Sequence, residues 1–150
     1  MLLKFSMDFR IFFLIVFVLN ANVLFARDTT LFRRYFVPYT CLFIAGSCEG
    51  FREVITHHYY KFNAVFPKAN PRYWNPSLSW KNKGSNVFRR TFLVGTTDAY
   101  HLSNTLRNGF ALAFICTLDR PKGWKQIVST VIISTACYNA GKHLVWSMLF

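Results

Sequence analysis

The sequence predicts an all-α integral membrane bundle of about four transmembrane helices, or three if the N-terminal segment is cleaved. Three observations carry that expectation. Hydrophobic residues make up 53% of the 150-residue chain and charged residues only 16%, against about 25% charged in ordinary soluble domains. The hydrophobic residues fall into four long runs. Between the second and third runs lies a basic, aromatic stretch with no acid in it. With no internal repeat, the chain reads as one polytopic domain over 1–150, with spans at about 9–26, 35–58, 91–118 and 126–150 and a loop at 59–90.

The first run, "FRIFFLIVFVLNANVLFA" (9–26), has Lys4 and Arg10 at its start, as a signal peptide would. Such peptides end in small residues of the A-x-A kind. Here Leu24 precedes Ala26 and Leu19 precedes Ala21 at the matching position, so an uncleaved first span is the expectation. The second run, "YFVPYTCLFIAGSCEGF" (35–51), places Pro38 where a helix begins, and a missing N–H costs little in the first turn. Continued to His58 it exceeds 20 residues, enough for a hydrocarbon core of about 30 Å. The third run follows Arg89 and Arg90, and the fourth follows "DRPKGW", where Pro121 and Gly123 punctuate the chain. Trp124 and Trp146 suit interfacial anchors.

The loop stretch "KFNAVFPKANPRYWNPSLSWKNKGSNVFRR" (61–90) contains seven basic residues and no acid. By the positive-inside rule it is expected in the cytoplasm, with both termini on the same side. Pro67, Pro71 and Pro76 break helix, and the Asn-Pro pairs initiate turns. Tyr73, Trp74 and Trp80 alternate with cations, as in a segment resting among anionic lipid headgroups. The net charge of +12 would suggest nucleic acid in a soluble protein. Beside four apolar spans it points instead to a lipid bilayer and a membrane-protein partner, with no nucleic acid expected. The four cysteines, Cys41, Cys48, Cys116 and Cys137, form no C-x-x-C pair and read as small buried hydrophobes.

Two stretches, "RYWNPSLSWKNK" (72–83) and "TTDAYHL" (96–102), together resemble a family of short, uncharacterised polytopic bacterial membrane proteins. In that family a W-N-P-x-x-S-W-x-N-K loop precedes a T-T-D-A-x-H helix, and the "HHYY" ahead of the loop fits the same arrangement. The resemblance covers roughly residues 48–105. It departs where Gly84 follows the Asn82–Lys83 pair at once, since the family's loop usually runs longer. The family has no established activity. The resemblance therefore implies the membrane architecture and singles out Asp98 and His101, and it supplies no catalytic residues.

The polar residues of these runs fall on faces. At about 100° per residue, Glu49, Glu53, His57, Gly46 and Gly50 share one arc of the second helix. Gly46 and Gly50 make a G-x-x-x-G that admits a close neighbour. On the third helix Asp98, His101, Asn104, Thr105 and Asn108 form a stripe, with Arg107 off it and placed to snorkel. Asn139, Lys142 and His143 mark a polar face on the fourth. Ionisable groups at membrane depth face a bundle interior, so these faces are expected to meet, the glycine arc against the Asp98–His101 stripe.

What that meeting does stays open at this point. Carboxylates paired with Arg52, His57, His101 or Lys142 would be purely structural. Glu49, Glu53, His57, Asp98 and His101 have the helical spacing of a divalent-metal site built from facing helices, although neither the E-x-x-H of di-iron bundles nor an H-E-x-x-H is present. A proton relay through Asp98, His101 and Glu53 is a third reading, and no motif supports haem. No G-x-S-x-G, P-loop or G-x-G-x-x-G occurs, which removes the support for hydrolase-elbow and nucleotide chemistry. The expected function is a structural or accessory membrane component. The alternative is a metal-dependent membrane enzyme acting on a lipid or other anionic headgroup.

Overall fold

The computed structural model describes residue 34 and residues 36–79 and 94–149. Six α-helices run through them: α1 (Val37–His57), α2 (Tyr59–Val65), α3 (Pro71–Trp74), α4 (Pro76–Ser79), α5 (Ala99–Thr117) and α6 (Trp124–Leu149), with a 3₁₀ turn at Val94–Thr96. The run at 9–26, residues 80–93 and Phe150 lie outside the described residues.

The all-α expectation holds for these residues; the membrane-spanning one does not. Among the described residues no helix is long and apolar enough to cross a membrane. The expected multi-pass transmembrane bundle, with its cytoplasmic placement of loop 59–90, is corrected accordingly. The physical reason lies in how the runs are diluted. The 21 residues of α1 include Glu49, Arg52 and Glu53, and the helix breaks at His58. The 19 residues of α5 include Asn104, Arg107 and Asn108. The 26 residues of α6 intersperse Ser129, Thr130, Ser134 and Thr135 before reaching Asn139, Lys142 and His143.

α1 is the shaft of the fold. Gly46 lies against the Tyr138 backbone and Gly50 against that of Lys142, so α1 and α6 advance together and are parallel. From the other side Gly141 abuts the Phe43 carbonyl, and the Ser47 hydroxyl donates to the carbonyls of Phe43 (3.0 Å) and Gly141 (3.3 Å). This corrects one expectation: the glycine face seats α6, not the helix that carries Asp98 and His101. α5 runs antiparallel to α1, with the rings of Tyr39 and Phe114 6.3 Å apart at one end and Arg52 beside Tyr100 at the other. Both helices pack extensively on α1 and have almost no contact with each other.

The segment after α1 is built rather than loose. His58 ends α1 with φ −133° and ψ 36°, and Phe51, Phe62 and Trp74 then cluster, with ring centroids 5.4–5.9 Å apart. Each Asn-Pro pair starts a one-turn helix. Asn70 Oδ1 accepts from the Arg72 N–H and Asn75 Oδ1 from the Ser77 N–H, each at 3.0 Å, while the proline occupies the first helical position, where no N–H is needed. Trp74 thereby packs into the core with Phe51, Val54, Ile55, Phe62, Ala99 and Val145, in place of the headgroup layer expected for it.

Candidate functional site

The polar faces meet across α1, in two separate places. Glu49, with its side chain 12% exposed, takes both arms of Arg52 from one turn further on, at 3.0 and 2.5 Å. It also takes Nη1 of Arg107 from α5, at 2.8 Å. The hydrogen bond from Arg52, helped by that from Arg107 and opposed by burial, holds the Glu49 carboxyl down at about 2, from an ordinary 4.5. The same bond to Glu49 pushes Arg52 up. Arg52 also donates to the Tyr100 hydroxyl (3.2 Å) and lies 5.4 Å from that ring's centroid. Arg107 is itself steadied by Asn108, whose Oδ1 accepts at 3.2 and 3.0 Å.

On the α6 side Lys142 Nζ donates to Glu53 Oε1 at 2.7 Å. Between the two pairs stands Tyr138. Burial pushes its hydroxyl up, Glu49 adds to this, and Arg107, Lys142 and Arg52 oppose it. Three cations and the Glu49 carboxylate, drawn from three helices, therefore act on one phenol.

Asp98 belongs to a different place. It is 1% exposed and caps α5: Oδ1 accepts from the His101 N–H at 2.8 Å. The same carboxylate lies 2.8 and 2.9 Å from His101 Nδ1, and Oδ2 accepts from the Thr97 hydroxyl at 3.3 Å. Burial, and secondarily the charge of Asp98, push the Tyr73 hydroxyl up, so the Asn-Pro segment sits within reach of this dyad. A buried carboxylate on Nδ1 fixes the tautomer and orientation of the imidazole.

Of the five candidate ligands, Glu49 has both oxygens taken by cations, Glu53 has one oxygen on Lys142, Asp98 and His101 hold each other, and His57 is exposed on the last turn of α1. Among the described residues no group of three or more His, Cys, Asp or Glu side chains is gathered that could hold a metal, so the donor set does not fit the divalent metal considered above. The residue the sequence reading misplaced is Arg107. Its helical angle sets it off the polar stripe and placed to snorkel, whereas it makes the link from α5 to α1. A buried acid with only one local cation was the available signal. Compared with the known protein families, with curated proteins and with solved structures, the chain matches none.

Proposed function

We propose that this chain is a non-enzymatic helical accessory component, in which the polar constellation fastens α5 and α6 to α1 and performs no chemistry. The observation that carries the reading is the pairing itself: Arg52 and Arg107 take both oxygens of Glu49, and Lys142 pairs with Oε1 of Glu53. Glu49, the most enclosed acid of the constellation, therefore offers no open oxygen to a substrate or a metal. The test is metal stoichiometry and thermal midpoint of the purified protein, wild type beside Glu53→Gln. Absence of stoichiometric metal in both, with midpoints within a few degrees, is the expected result. About one metal per chain in the wild type, lost in the variant, overturns it.

One observation favours a second reading. The Asp98–His101 dyad has the geometry of an oriented general base, and Lys68 and Arg72 on the neighbouring segment would attract an anionic substrate. On that reading His101→Ala abolishes turnover of a phosphate ester while leaving the fold intact.

A further inference from the structure

An accessory component needs a surface for its partner, and the charge and hydropathy of this chain leave one conspicuous. The C-terminal half of α5 exposes Leu112 (61%) and Ile115 (68%), and the N-terminal half of α6 exposes Trp124 (70%), Val128 (47%), Val131 (58%) and Ile132 (63%). Trp124, Val128 and Val131 are spaced i, i+4, i+7, the spacing at which one helix offers anchors to another. α5 and α6 pack on α1 and hardly on each other, so the row on α6 is not covered by α5. The face fades where α6 turns polar at Asn139.

The connection between these two helices is basic. Arg120, Lys122 and Lys125 are exposed within six residues, and Lys125 Nζ stands 6.0 Å from the Trp124 ring centroid. No carboxylate of the described residues answers them. Glu49, Glu53 and Asp98 are engaged as above, and Asp119 pairs with Arg34. A second copy of the chain would bring the same cations and another +12 against them. Nucleic acid would find cations here, but nothing in a row of Ile and Val to recognise.

We infer that this face of α6 docks an apolar helix of a partner protein that carries carboxylates at the end lying over Arg120, Lys122 and Lys125. The inference rests on the accessory reading above, and its test is separate: metal content and the His101 variant do not involve this surface, so either can fail alone. The full chain is titrated with two synthetic helical peptides of about 20 residues sharing one Leu/Ala face, one ending in four Glu and the other in four Lys. The Glu peptide is expected to bind at least ~10-fold tighter, and about 0.5 M salt should erase most of that difference. Val131→Asp should abolish binding without moving the thermal midpoint, because the residue is exposed, and Lys122→Glu with Lys125→Glu should reverse the preference. Equal affinity for both peptides, or binding of neither, overturns the inference. So does a concentration-dependent dimer dissolved by Val131→Asp, or capture of anionic vesicles in preference to the Glu peptide.

Discussion

Lys142 meets α1 twice: its Nζ donates to Glu53 Oε1 at 2.7 Å, and its carbonyl oxygen stands 2.6 Å from where a Cβ on Gly50 would be. One residue of α6 thus sets both the closeness of the two helices and the charge that faces the acid. Side-chain volume and charge are separable tests of that contact.

Volume comes first. Gly50→Leu forces a side chain into the Lys142 backbone, and Gly46→Ala meets the Tyr138 carbonyl carbon at 2.8 Å. Each should lower stability by about 1–3 kcal/mol or more, since overpacked backbone cannot swing aside as a side chain can. Gly109→Ala is the control. A Cβ there meets nothing within 4 Å, so removing a mid-helix glycine should raise stability by about 0.5–1 kcal/mol. Urea unfolding of the variants reads all of these effects.

Charge at the same contact should count for less. The Glu53 and Lys142 side chains are 26% and 28% exposed, so water screens the pair. A double-mutant cycle with Glu53→Gln and Lys142→Met should return a coupling of about 0.5 kcal/mol. A coupling above about 2 kcal/mol would mean that the pair is far better shielded than its exposure indicates.

Acid should reveal Glu49. Its folded pKa lies at about 2, below the ordinary 4.5, so the unfolded chain takes up the proton first. The stability from this group is therefore full above about 4.5 and lost as pH falls toward about 2. Thermal midpoints measured across that window should fall for the wild type, and the fall should be shallower for Glu49→Gln, which has no proton to gain. Identical slopes would remove Glu49 from the account.

At the head of α5, Asp98→Ala should cost about 1–2 kcal/mol, because it strips the cap from the His101 N–H and opens a buried site. Asp98→Asn keeps an oxygen for that N–H and should cost less, while the His101 ring loses its charged partner. Denaturant unfolding orders the three proteins as wild type, Asn, Ala.

The three long helices were legible in the sequence because apolar runs and Pro38 are local signals, whereas the short helices at Tyr59–Val65, Pro71–Trp74 and Pro76–Ser79 fall where a loop was expected. The partners of the long helices were not legible. A helical wheel groups Gly46, Gly50, Glu49 and Glu53 on one arc, but it cannot say that the glycines meet α6 while Glu49 meets α5. Arg107 was misplaced for the same reason: its angle on α5 was known, and the antiparallel register that carries it to Glu49 was not. The transmembrane expectation failed on dilution. Composition averaged over the chain hid how regularly Ser, Thr, Asn and charged residues interrupt each described helix. Trp74 shows the limit for aromatics, since alternation with cations looks alike at a lipid surface and on a one-turn helix folded back onto Phe51 and Phe62.

The pairing of α1 with α6 also fixes an order of events on the ribosome. Gly46 meets Tyr138 and Gly50 meets Lys142, so each half of the contact waits 92 residues for the other. At roughly 5–20 residues per second, α1 waits about 5–20 s for the helix that its glycine face seats, and α5, made earlier, meets it at Glu49 instead. A ribosome stalled before residue 138 would therefore leave α1 without the helix whose backbone its two glycines are shaped to meet.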